Sequence, residues 1–142
     1  MVNSAGRDAF ASVSLASASL SRVKQLVAAY VVVALGTLVT LAVLATTAPH
    51  LATDEAWGHA VIVAVFAIVL PLRTRAALRG SPSGLRALTV IGGVLLVVNL
   101  LEAALPGTFP AWMRAEMLVI AAMMLTLVIL SVRVRRDRRT VA

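Results

Sequence analysis

The chain has 142 residues, one domain's worth, of which 61% are hydrophobic and only 13% charged, against about 25% charged in soluble domains. A water-soluble fold of this length could not hide that much apolar surface, so lipid is the expected solvent. The net charge of +7 does not point to nucleic acid, because the basic residues fall between and after apolar runs, and the lack of cysteine excludes disulfides, thiolate nucleophiles and Cys-ligated metals.

Residues 1–25 are rich in serine and poor in bulky apolar groups, a composition that hardly offsets the entropy of ordering. They read as a mobile or weakly amphipathic cytoplasmic segment. In the amphipathic form, Phe10, Val13 and Leu20 share the face of a helix lying on the membrane, and Arg22 and Lys24 reach headgroups. Leu26 to Ala48 carries no charge and as a helix is about 35 Å long, enough to cross the hydrocarbon with some tilt. Tyr30, Thr37 and Thr40 recur in it at helical spacing, and Gly36 with Thr40 makes a small-xxx-small pair that lets another helix approach. Pro49 ends this first span.

Thr53-Asp54-Glu55 then supplies a cap and two acids to the first turn of the next helix, where the dipole favours negative charge. The second span covers 56–72, with Trp57 at the interface and Ala56, Ala60, Ala64 and Ala67 as a packing seam. Pro71 is expected to kink it before Arg73, Arg75 and Arg79 enter the aqueous side, and Gly80 is the expected stop. Residues 80–84 form a turn, with Ser83 as the expected cap of the third helix. The third span, 85–105, ends at Pro106-Gly107, and the fourth covers 112–132, with Trp112 at its interface. Arg133, Arg135, Arg136, Arg138 and Arg139 follow in a basic cytoplasmic tail, 133–142. A run of that kind anchors a span and binds anionic headgroups, the role also expected of Arg73, Arg75 and Arg79.

All 13 Lys and Arg except Arg114 fall on one side of these spans. Positive-inside reasoning therefore puts both termini in the cytoplasm. The expected fold is an all-α membrane protein, four transmembrane helices in an antiparallel up-down bundle, N-in and C-in. The Ala, Val, Leu and Arg usage is that of high-GC bacterial proteins, which makes the plasma (inner) membrane the expected location.

Chemistry has few places to reside. Gly92, Asn99 and Glu102 lie on nearly one side of the third helix, and an acid near hydrocarbon generally faces the bundle. Glu102 is at a helix C-terminus, where the dipole opposes its charge, whereas Glu116 is in the first turns of the fourth helix, where the dipole favours it. Glu102 is therefore the acid expected to exchange a proton, and Arg114 is expected to pair with Glu102 or Glu116 and pin the last hairpin. His50 and His59 flank one loop without metal-site spacing. Met113 and Met117, one turn apart, read as packing filler instead of copper ligands. No nucleophile-and-base arrangement or dinucleotide fingerprint occurs, so neither metal, cofactor nor catalysis is expected.

The function expected on these grounds is that of a non-enzymatic accessory or interaction subunit, its faces at Gly36/Thr40, Ala60/Ala64 and Gly92 meeting each other or a partner. The alternative is a small homo-oligomeric proton-coupled transporter using Asn99 and Glu102, with Tyr30, Thr37 and Thr40 as lining. The partners expected are anionic lipid headgroups and either a second copy or a larger membrane protein, with no nucleic acid.

Overall fold

The computed structural model describes residues 4–140, and these form four long helices. They are α1 (Ser4–Thr47), α2 (Asp54–Leu78), α3 (Pro82–Ala104) and α4 (Ala111–Thr140), with a single 3₁₀ turn at Pro49–Leu51. All four are long and apolar enough to cross a membrane. Their outward faces carry Val32, Val39, Ile68, Val90, Leu101 and Leu118, each more than half exposed, which only a lipid solvent accommodates at this density.

Two helices run further than the composition suggests. α1 begins at Ser4, so the segment expected to be mobile or weakly amphipathic is continuous with the first span. No proline lies between Ser4 and Thr47, and once the apolar span has nucleated a helix, extending it costs little per residue. Phe10 is 78% exposed; the side chain of Val13 and residues 1–3 lie outside the described residues. α4 continues through the arginines to Thr140, so the expected tail is helical up to that point, and residues 141–142 lie outside the described residues. Pro71 does not end α2, which carries on to Leu78 and holds Arg73 and Arg75 on helix. Pro71 removes one backbone donor, a loss confined to a single turn.

The α2–α3 turn is built residue by residue. Gly80 adopts φ 89°, the left-handed conformation that ends helices. Its N–H donates to Ala77 O and that of Ser81 to Ala76 O, both at 3.1 Å, the paired bonds of a Schellman motif. Ser81, not Ser83, caps α3, its Oγ accepting from Gly84 N at 3.4 Å with Pro82 in the first turn. Gly84 is needed for closeness: a Cβ there would stand 2.6 Å from the backbone N of Ala77.

α1 packs on α2 and α4, and α3 on α2 and α4, so each helix leans on two neighbours. The buried positions alternate by four and three residues. In α1 they are Val23, Val27, Tyr30, Ala34, Thr37 and Leu41; in α4 they are Met113, Met117, Ile120, Met124, Leu127, Ser131 and Val134, with Ala121 and Leu130 buried beside that stripe. That spacing is the seam of left-handed, knobs-into-holes packing. Gly92 admits α4, since a Cβ there would meet Val128 at 3.1 Å, whereas Gly36 has nothing within 4 Å and Thr40 is exposed. Of the alanine seam, Ala56 and Ala60 are buried and Ala64 and Ala67 half-buried.

Candidate functional site

The polar interior is concentrated where the start of α2, the end of α3 and the start of α4 meet. Thr53 fixes the first turn of α2, its hydroxyl accepting from Ala56 N at 3.3 Å. His59 follows one turn into the helix, on the inward side between Ala56 and Val63, and is 3% exposed. Its Nδ1 lies 2.7 Å from Glu102 Oε2. Phe109 abuts the imidazole edge-on, with ring centroids 6.1 Å apart. The Glu102 side chain retains 21% exposure, so the pair is enclosed on the histidine side and partly open on the acid side.

Glu116 forms the second half of the cluster. Its Oε1 hydrogen-bonds the hydroxyl of Thr37, which also lies 3.0 Å from Val33 O, one turn back on α1. Tyr30 and His59 are both close enough to interact electrostatically with the Glu116 carboxyl. Tyr30 itself donates its hydroxyl proton to Val63 O at 3.0 Å. His59 Nε2 and Glu116 Oε2 are enclosed without a protein hydrogen-bond partner, as are Asn99 Oδ1, Trp112 Nε1 and Ser131 Oγ, each a costly atom to enclose. Leu41, Ala56, Ala60, Met113 and Met117 form an apolar cluster of their own, with Trp57, Phe109 and Trp112 packed against it.

Arg114 does not pair with either carboxylate in this arrangement. Its Nε donates to Ala103 O at 2.9 Å, satisfying a carbonyl that the end of α3 leaves without an intrahelical donor. The hairpin is thus pinned through backbone, and Glu102 is left to His59. Asn99 is 1% exposed and lies on the inward side of α3 with Gly92; its Nδ2 donates to Leu95 O at 2.8 Å, leaving Oδ1 unpartnered. Thr40 points away from the cluster. Of the residues singled out from the sequence, Thr37 and Glu116 come together through one carboxyl, Glu102 pairs with His59, Tyr30 bonds the α2 backbone, and Thr40 does not join.

His59 is the member that sequence reasoning read differently, as one of two histidines flanking a loop. The available signal was its register, three residues after Ala56 and four before Val63, on the face that packs inward. His50 is exposed in the 3₁₀ turn. Among the described residues no three His, Asp or Glu side chains gather as a metal ion would require. Met113 and Met117 are fully buried in the apolar cluster.

At the other end, Arg73, Arg75, Arg79, Arg133, Arg136 and Arg139 are exposed and Arg135 and Arg138 half-buried. Grooves there bring Lys24 of α1 beside Arg75 of α2, and Arg22 of α1 beside Arg133 of α4. No family model, curated protein or solved structure matches the chain. Sequence and geometry together describe a multi-pass membrane protein with four apolar helices.

Proposed function

We propose that the chain is a non-enzymatic plasma-membrane protein, an antiparallel up-down bundle with both termini cytoplasmic, that binds and releases a proton at His59, Glu102 and Glu116 and couples it to solute movement. Four spans are few to enclose a path, so the working form is a homo-oligomer. The orientation is supported by the charge distribution, all Lys and Arg except Arg114 belonging to one end. The alternation of direction is supported by the grooves that set Lys24 beside Arg75 and Arg22 beside Arg133.

The observation that carries the proton reading is the double contact of the Thr37 hydroxyl. It carries one proton and faces two acceptor atoms, Val33 O and Glu116 Oε1. When the carboxyl of Glu116 holds a proton, it donates to Thr37 and Thr37 donates to Val33 O, so both bonds exist. When that proton leaves, the hydroxyl turns to the carboxylate and Val33 O loses its side-chain donor. Proton release at Glu116 is therefore felt by the α1 backbone, and His59 with Glu102 offers the nearby route of exchange. The test is reconstitution into vesicles loaded with a pH-sensitive dye and challenged with a panel of small cations, sugars and amino acids: at least one solute should drive proton movement through the native protein and not through Glu116→Gln or Glu102→Gln. Equal flux through all three would contradict the reading.

A second reading, an accessory or interaction subunit, is favoured by Gly36 and Thr40. They face outward on α1 at small-xxx-small spacing, with nothing within 4 Å of a Cβ at Gly36. Extraction in mild detergent separates the two: a stoichiometric larger membrane protein supports the subunit role, and a homodimer supports the proton-coupled one.

A further inference from the structure

Beyond the polar cluster, the α3–α4 groove at the basic end has features of a built site. It has a volume of about 290 Å³ and is lined by the guanidinium-bearing Arg86, Arg135, Arg138 and Arg139 together with Pro82 and Leu85. Four like charges around one open hollow repel each other, and an anion between them removes that repulsion. Residues 133–139 hold five arginines and one acid, Asp137.

Arg138 is fixed before any ligand arrives. Its two terminal nitrogens donate to Gly80 O and Ala77 O, both at 3.3 Å, across the turn that ends α2. A guanidinium has five N–H donors, so the anchored group keeps donors for a ligand, and less side-chain entropy is lost when one binds. A second hollow of about 170 Å³, lined by Val132, Arg135, Arg136 and Arg139, adjoins the first and shares Arg135 and Arg139 with it. The arginines thus frame two anion positions side by side, and the half-buried Val132 borders the second hollow on the span side of Arg135.

We propose that this double groove binds one lipid headgroup bearing two phosphates, one phosphate in each hollow, with the acyl chains along the outer faces of α3 and α4. The ligand chemistry is phosphate, and the apolar walls at the end of two spans favour a lipid over a soluble phosphate as its source. This rests on the reading that the helices span a membrane with Arg86 and the end of α4 at one headgroup level. It adds a single-lipid site, with Arg86 as a member, to the general headgroup attraction of the arginines.

The test uses the full chain in lipid nanodiscs holding either cardiolipin or twice the mole fraction of phosphatidylglycerol, which equalises the lipid charge. Lipid retained per chain is then counted by native mass spectrometry. One cardiolipin per chain should survive conditions that strip phosphatidylglycerol, and the Arg86→Gln/Arg138→Gln double variant should lower that retention by about tenfold or more. Arg73→Gln/Arg75→Gln, which removes the same charge from α2 and so weakens only the general headgroup attraction, should lower it clearly less than the α3–α4 pair does. Equal retention of the two lipids, or equal loss in both double variants, overturns the proposal in favour of diffuse attraction. Displacement of cardiolipin by millimolar inorganic pyrophosphate overturns it in favour of a soluble ligand. Flotation of the protein with vesicles after a carbonate wash reports separately on membrane spanning, and a protein released by carbonate overturns that reading along with this one.

Discussion

The two ends of the bundle use the same fastening and opposite chemistry. At each end an arginine of α4 donates to carbonyls at the C-terminus of a neighbouring helix: Arg114 to Ala103 of α3, Arg138 to Ala77 and Gly80 of the α2 turn. Cations belong there, because the last carbonyls of a helix lack donors and carry the negative end of its dipole. Beyond that fastening the ends diverge. Near Arg114, His59 is buried and Glu116 keeps one carboxyl oxygen inside the packing; around Arg138 the arginines turn outward into grooves. A charge turned outward meets headgroups at little cost, whereas one turned inward must find a protein partner or exchange its proton. On the proposed reading, the first end holds a proton-exchanging cluster and the second holds headgroups.

Substitutions at the two ends sharpen that contrast, and the largest effect belongs to packing. Gly84→Val sets a side chain against the Ala77 backbone and should cost about 3 kcal/mol or more, whereas Gly36→Val on the outward face of α1 should stay within about 0.5 kcal/mol. Reversible unfolding in mixed detergent micelles measures both. His59→Leu comes next, at about 2 kcal/mol, because Glu102 loses its partner. A double-mutant cycle of His59→Leu with Glu102→Leu should give a coupling of about 1–2 kcal/mol, and additivity would mean that the pair is incidental. Arg114→Gln should cost about 1 kcal/mol through its part-buried 2.9 Å bond. The longer bonds of Arg138 predict about 0.5 kcal/mol for Arg138→Gln, so a reversed order would break the comparison. The smallest effect is expected from Thr40→Val, with stability unchanged and proton flux intact, because Thr40 faces outward; lost flux would return Thr40 to the site.

The spans were legible in the sequence because long uncharged runs, prolines and the arginine distribution act locally. Helix ends were less so. Composition pointed to Ser83 as the cap of α3, and Ser81 takes that place because of the Schellman bonds of Gly80 and Ser81, which depend on where α2 stops. Glu102, Glu116, Tyr30 and Thr37 stood out as polar residues in apolar runs. Their partners did not, because His59 and Glu102 are 43 residues apart and meet only through packing. The four-three alternation of Met113, Met117, Ile120 and Met124 was present to be read; in helices apolar all round, such a seam is masked by equally apolar residues facing lipid.

The measurement that tests the central claim most directly is an infrared titration of the carboxyls in lipid bilayers, comparing the native chain with Glu102→Gln, Glu116→Gln and His59→Gln. If the three groups act as one proton-binding unit, each substitution will displace the titration of the carboxyls that remain. Carboxyls that titrate independently, with His59→Gln leaving both unmoved, would contradict the account and leave the two half-buried acids as packing features alone.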